Sequence, residues 1–91
     1  MLSAAYHSDS EIYQKIGFCY QKKGDYANAL EAFLKAEIIS PDNFWTIRRI
    51  ATCYRNMKKP EMALSYYHRA EKIQPENLSV QMNIGHCYVE Q

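Results

Sequence analysis

The sequence predicts an all-α chain of five helices, arranged as two helix pairs and a fifth helix that opens a third pair. Three observations carry that prediction. Ser40-Pro41-Asp42-Asn43 returns as Gln74-Pro75-Glu76-Asn77, a period of 34 residues between Pro41 and Pro75, and a fixed period in this range is the mark of stacked repeats. Within each unit the matched residues step by three and four, as one face of a helix requires. Only 3 Gly and 3 Pro occur among 91 residues, too few for an all-β chain with many tight turns.

Laying residues 10–43 over 44–77 pairs identical residues along the whole unit. The pairs are Ile16/Ile50, Cys19/Cys53, Tyr20/Tyr54, Ala29/Ala63, Leu30/Leu64, Ala36/Ala70, Glu37/Glu71, Ile39/Ile73, Pro41/Pro75 and Asn43/Asn77. Ile84, Gly85, Cys87 and Tyr88 continue the pattern. The chain therefore divides into a first repeat (10–43), a second repeat (44–77) and the first helix of an incomplete third (78–91). Residues 1–9 are read as an N-terminal extension or the end of a preceding repeat.

The elements follow in order. Tyr13, Ile16, Gly17 and Tyr20 share one face of the first helix. Ser8 followed by Glu11 has the spacing of a capping box that would start it. Lys22 and Lys23 place cations at its C-terminal end, and Gly24 can take the left-handed cap. Asp25 can cap the second helix, whose stripe is Ala29, Phe33 and Ala36. Pro41 ends that helix, and Asp42 or Asn43 caps the third, where Ile47, Ile50, Ala51 and Tyr54 repeat the stripe. Pro60 suits the first turn of the fourth helix, where an N–H would lack an intrahelical acceptor. Ala63, Tyr67 and Ala70 line its inner face, and Asn77 caps the fifth helix. Gly17, Ala51 and Gly85 are expected where a ring from a partner helix must fit, with Phe33 and Tyr67 as the rings. The four alanines of the second and fourth helices permit close approach, toward the short end of the ~8–10 Å range.

The composition narrows the function classes. The chain is 47% hydrophobic and 23% charged, which suits a folded domain rather than a disordered one. Lys+Arg number 11 against 10 Asp+Glu, a formal net charge of +1, which argues against a nucleic-acid partner. No stretch is apolar for long enough to span a bilayer, and Met1–His7 has neither the basic nor the apolar region of a secretory signal. No membrane partner is expected. Three cysteines, in no CxxC pair, fit a reducing and hence cytoplasmic setting better than a disulfide framework.

These residues resemble the tetratricopeptide repeat, a 34-residue helix–turn–helix with alternating large and small positions. Ile16-Gly17, Tyr20, Gly24, Tyr26, Ala29, Phe33, Ala36 and Pro41 match its signature in the first unit. Ile50-Ala51, Tyr54, Ala63, Tyr67, Ala70 and Pro75 match it in the second, and Ile84-Gly85 with Tyr88 in the third. Lys58 and Pro60 depart from it, standing where the family prefers Gly and an aromatic. A left-handed Lys58 would cost roughly 1 kcal/mol. The resemblance implies an α-solenoid, a right-handed superhelix of antiparallel helix pairs, in which each unit's first helix lines a concave groove. It also implies a protein-interaction scaffold or adaptor that holds a partner peptide or protein segment there, as part of a longer repeat protein.

The groove positions implied by the resemblance are Gln14, Phe18 and Gln21 on the first helix, Trp45, Arg48, Thr52 and Arg55 on the third, and Met82 and His86 on the fifth. An exposed Trp beside two Arg has the chemistry of a binding hot spot, and a partner with acidic residues would complement it. The competing reading is that Trp45 merely covers a neighbouring helix while the arginines are solvated. Some family members grip the C-terminal carboxylate of chaperone tails with Lys and Asn on the first helix. The matching positions here are Gln14 and Phe18, so that function is not carried over. Ile84, Tyr88 and Val89 form a second candidate surface, through which the open C-terminal helix would mediate homo-oligomerisation.

The remaining constellations read as structural. Cys19, Cys53 and Cys87 recur at the repeat period, but equivalent residues on parallel helices stand ~8–10 Å apart. A tetrahedral zinc site needs all its ligands within ~2.3 Å of one point. Three reduced, mostly buried thiols packed between units are expected, with no metal and no cofactor. His7, His68 and His86 share no acid or nucleophile, and the chain has no phosphate loop and no HExxH. No enzymatic activity is expected.

Overall fold

The computed structural model describes residues 2–90, with side chains from Asp9 onward. They form five α-helices: α1 (Leu2–Lys22), α2 (Tyr26–Ile39), α3 (Phe44–Asn56), α4 (Pro60–Ile73) and α5 (Leu78–Glu90). Each helix packs chiefly on its neighbours in sequence. The result is an elongated body of 45 × 28 × 17 Å, as expected where each unit touches only the next. Among the described residues there is no strand, and no helix is long and apolar enough to cross a membrane.

Local chemistry sets the boundaries. Gly24 closes α1 at φ 81°, a conformation that costs glycine little. Asp25 Oδ1 accepts from the Asn28 amide at 3.3 Å, Asn43 Oδ1 from that of Thr46 at 3.2 Å, and Asn77 Oδ1 from that of Val80 at 3.1 Å. Each bond satisfies a first-turn amide that has no intrahelical acceptor. Asn43, not Asp42, is thus the cap of α3, and Asp42 turns the chain at φ 62°. α4 has no side-chain cap and begins directly on Pro60. Lys58 takes φ 64° in the place Gly24 holds in the first repeat, so the expected left-handed turn is present.

One boundary differs from expectation. α1 runs back through Ser8 to Leu2, so no helix starts at a Ser8–Glu11 capping box. Leu2, Ala4 and Ala5 favour helix, and no Gly or Pro interrupts residues 2–9, so the helix has no reason to stop there. The side chains of His7 and Ser8 lie outside the described residues.

The interior is built in two linked clusters. Ala29 and Phe33 of α2 pack with Ile50 and Cys53 of α3. Phe44, Ile47 and Ala51 of α3 pack with Ala63, Leu64, Tyr67 and Ala70 of α4 and with Val80 and Cys87 of α5. Tyr54 and Tyr66 touch both clusters and stack on each other, 5.7 Å between centroids at 27°. α3 is therefore shared between units: Ile50 and Cys53 reach back to the first repeat, while Ala51 faces its own second helix.

That sharing explains four departures from the expected stripes. Cys19 is exposed, unlike Cys53 and Cys87. Ile16 is 41% and Tyr20 37% exposed, because among the described residues no unit lies on the side of α1 that Ile50 and Cys53 use on α3. Gly17 meets its ring as expected: a Cβ there would lie 2.8 Å from Phe33 Cδ1 and Cε1. Gly85 does not, for nothing lies within 4 Å of its Cβ position. The ring would come from the second helix of its own unit, which is not among the described residues. Ile84 is half-buried against the larger cluster, since it occupies the repeat position of Ile50 and likewise faces the preceding unit.

Candidate functional site

The first helices of the three units, α1, α3 and α5, lie side by side, and polar side chains join them. α3 is the middle member. Arg49 Nη1 donates to Gln21 Oε1 on α1 at 3.3 Å. Arg48 Nη1 donates to Ser79 Oγ on α5 at 3.3 Å, and Arg55 Nη1 donates to Asn83 Oδ1 on α5. Asn83 is held in turn by its own donation to the Ser79 carbonyl at 2.8 Å. The two adjacent arginines thus diverge from one helix toward different neighbours, as the ~100° step of a 3.6-residue turn dictates.

Between α1 and α3 lies a depression of about 390 Å³ lined by Phe18, Gln21, Lys22, Arg48, Arg49 and Thr52. Phe18 is the aromatic residue of its lining. The Arg49 guanidinium sits 4.5 Å and the Lys22 ammonium 5.2 Å from its ring centroid, an arrangement the negative face of the ring favours. Beyond it Arg48 lies 5.0 Å from the Trp45 ring. Trp45 is 52% exposed and meets Phe44 edge-on at 5.2 Å. The residue is thus half-exposed beside a cation. Thr52 ties the groove to the core. Its hydroxyl is 3.0 Å from the Arg48 carbonyl and 2.7 Å from the hydroxyl of fully buried Tyr67. Tyr67 donating to Thr52, and Thr52 to the carbonyl, uses each proton once.

The electrostatics of the depression are one-sided. Among the described residues, ion pairs involve only Lys35 with Glu31, His68 with Glu71, and Arg69 with Glu37 and Asp42. Lys22, Arg48, Arg49 and Arg55 have no carboxylate within the same reach, and the buried Nε–H of Arg48 has no hydrogen-bond partner. Partial burial, and then the like charge of Arg48, lower the Arg49 pKa from its ordinary value. By contrast, Arg69 on α4 is met by Glu37 at 2.7 Å and Asp42 at 3.7 Å.

The structure therefore brings Phe18, Gln21, Arg48 and Thr52 into one depression, with Trp45 and Arg55 on its α5 side. Gln14 lies apart, half-buried and bonded to Ser10 at 3.4 Å. Met82 and His86 are exposed on α5 and make no hydrogen bond to the arginines. Lys22 and Arg49 line the depression, and Ser79 and Asn83 accept from Arg48 and Arg55; none of the four is among the groove positions expected from the sequence. On α5, Tyr88 is 57% and Val89 85% exposed, whereas Ile84 turns inward. Among the described residues no group of three or more His, Cys, Asp or Glu could hold a metal ion. A larger hollow of about 580 Å³ at Gln74, Pro75, Glu76 and Asn77 is lined by turn residues alone and gathers no chemistry.

Comparisons with known proteins converge on the same architecture. No curated protein sequence matches the chain. Similar solved structures include the TPR domain of Sgt2 from Aspergillus fumigatus, with a TM-score of 0.83 at 18% identity, covering 89% of this chain and 54% of that one. Another is the first TPR of Spaghetti (RPAP3) bound to the HSP90 peptide SRMEEVD, with a TM-score of 0.83 at 20% identity, covering 91% of this chain and 68% of that one. The chain thus spans about half the length of the Sgt2 domain, and at these identities the likeness speaks to the fold. Two family profiles, each described as tetratricopeptide repeat, match residues 10–43 and 49–77. With those matched repeats, the shared α3 interface and the Gly17–Phe33 and Ala51–Tyr67 pairings, the chain belongs to the tetratricopeptide repeat family.

Proposed function

We propose that this chain is a protein-interaction module whose concave face holds an acidic segment of a partner protein, anchored by one apolar side chain. The observation that carries this reading is the depression in which Lys22 and Arg49 lie over Phe18 and Arg48 is a third lining cation, with no carboxylate in reach. Like charges held together repel, and in a structural role each would be expected to have a counter-ion, as Arg69 has. A partner carboxylate would supply one, and the guanidinium forks favour bidentate acceptance. Phe18 and the half-exposed Trp45 offer the apolar part of the contact, and rigid aromatic rings beside Arg are the usual anchors of such interfaces. The Spaghetti domain binds an HSP90 peptide with two Glu and an Asp, which supports the acidic class of ligand. It does not extend to the identity of the partner.

The test is a binding titration with a labelled peptide carrying paired Glu residues beside a Leu, against the same peptide with Gln for Glu. The Glu peptide should bind and the Gln peptide should not. Affinity should fall as salt rises, because exposed charges are screened beyond ~10 Å at 0.1 M. Arg48→Ala and Arg49→Ala should each weaken binding several-fold. Binding indifferent to salt and to both substitutions would place the site elsewhere.

A further inference from the structure

The lining of the α1–α3 depression is matched, in charge and in hydrogen-bonding sense, to one kind of anion. It holds three cations, Lys22, Arg48 and Arg49, and no Asp or Glu. Its two side-chain oxygens are already engaged. Gln21 Oε1 accepts from Arg49 at 3.3 Å. Thr52 Oγ1 is bonded to the Arg48 carbonyl at 3.0 Å and to the Tyr67 hydroxyl at 2.7 Å. The lining polar groups left over are donors: the Lys22 ammonium, the Gln21 amide NH2 and guanidinium N–H groups of Arg48 and Arg49. Among them the Nε–H of Arg48 is buried and has no partner, and a donor shielded from water costs free energy until an acceptor reaches it. Lys22 and Arg49 are also placed before any ligand arrives. Both lie on the Phe18 ring, 5.2 Å and 4.5 Å from its centroid, and Gln21 holds the Arg49 fork. Side chains fixed in advance lose less freedom on binding.

We propose that the acidic group this depression takes is a phosphomonoester, on a phosphorylated side chain of the partner segment. The inference rests on the reading of the groove as the site of an acidic segment, and it names the acid. A carboxylate brings one charge and two oxygens, which leaves most of the lining cations uncompensated. A phosphomonoester brings a charge of about −1.5 to −2 at neutral pH and three strong acceptor oxygens. That suits a lining whose free groups all donate, and guanidinium forks recognise phosphate as readily as carboxylate. A nucleic-acid strand is a poorer occupant. Its backbone calls for a basic groove that tracks successive phosphates, whereas α5 carries no Lys or Arg and the cations stop at α3.

The probes are the labelled paired-Glu peptide and versions of it in which one or the other Glu is replaced by phosphoserine or by Ser, titrated by fluorescence anisotropy at fixed salt. At the position that seats the acid, phosphoserine should raise affinity by about tenfold over Glu, and Ser should lower it. Arg49→Ala and Lys22→Ala should each remove most of the phosphoserine advantage. Lys35→Ala, at a cation paired with Glu31 on α2, should leave it unchanged. Circular dichroism should show each variant folded. Equal affinity for the phosphoserine and Glu peptides would overturn the phosphate assignment and leave the acidic groove standing, whereas binding of neither would overturn both. A phosphoserine advantage that survives Arg49→Ala and Lys22→Ala would put the phosphate elsewhere and overturn it as well. Displacement of the peptide by an equal concentration of inorganic phosphate would make the free ion the ligand. Tighter binding of a single-stranded oligonucleotide than of the phosphopeptide would give the site to nucleic acid. Either result would overturn the proposal.

Discussion

Gly17 and Gly85 occupy the same repeat position and offer an internally controlled measurement. Gly→Ala within a helix gains roughly 1 kcal/mol of propensity at either site. At Gly85 nothing opposes that gain, since no atom lies within 4 Å of the new methyl. At Gly17 the methyl would stand 2.8–2.9 Å from three carbons of the Phe33 ring, closer than van der Waals contact allows. Phe33 is fully buried among Ala29, Ile50 and Cys53, so it has no open space into which to swing, and overpacking of this kind costs ~1–3 kcal/mol. Gly85→Ala should therefore stabilise by about 1 kcal/mol, while Gly17→Ala should range from neutral to about 2 kcal/mol destabilising. The propensity gain cancels between the two, so their difference isolates the ring contact. For a domain of this size it should separate the two Tm values by roughly 5–20 °C. Thermal and urea unfolding followed by circular dichroism read this directly. Equal stabilisation by the two substitutions would refute the packing assigned to α1 and α2.

Four further outcomes follow from the same contacts. Cys19 should react quickly with a thiol reagent in the native state, and Cys53 and Cys87 only on unfolding, as timed modification with and without urea would show. Burial raises the Cys53 pKa from 9.0 to about 11. The neutral thiol is thus favoured by folding, and its contribution is present below about pH 9 and lost as pH rises toward 11. The alkaline decline in urea stability should be shallower in Cys53→Ala. Lys58→Gly should raise the urea midpoint, because relieving a non-glycine residue at φ 64° recovers about 1 kcal/mol. Thr52→Val should lower stability by ~1–3 kcal/mol, since it strips the buried Tyr67 hydroxyl of its partner at 2.7 Å, and an unchanged midpoint would argue against that bond.

The fold was legible because its determinants are local and repeated. The caps at Asp25, Asn43 and Asn77, the turn at Gly24 and the stop before Pro41 are each set by a residue and its near neighbours. Periodicity then assigned Ala29, Phe33, Ile47, Ala51 and Tyr67 to the interior, where they lie. What sequence pattern cannot supply is which side of a stripe has something to pack against. Ile16 and Ile50 are identical in type and repeat position, yet one is 41% exposed and the other fully buried. The difference lies in the neighbouring unit and not in the helix that carries them. The same holds for Cys19 against Cys53, and for Gly85 against Gly17. The Ser8 start failed for a different reason: a capping box favours a helix beginning but does not forbid one from starting earlier.

The groove was only half legible, for a related geometric reason. A single stripe along α3 selects Trp45, Arg48, Thr52 and Arg55 and passes over Arg49, which looks as though it belongs to the flank beside Ile50. A concave face, however, is made between helices, and the residues that matter are those aimed into the gaps on both sides of the middle one. Arg48 serves the gap toward α5 and Arg49 the gap toward α1. Lys22, at the end of α1, reaches the Phe18 ring one turn back on its own helix, and enters the site because α3 brings Arg49 to the same ring. The usable signal was the repeat alignment itself: Lys15, Arg49 and Asn83 share one position, as Gln14, Arg48 and Met82 share the one before it. Reading both columns would have caught Arg49 and Asn83. It would also have shown that the charge is concentrated on the second unit, which is why the basic site centres on α3 instead of running evenly along the three helices.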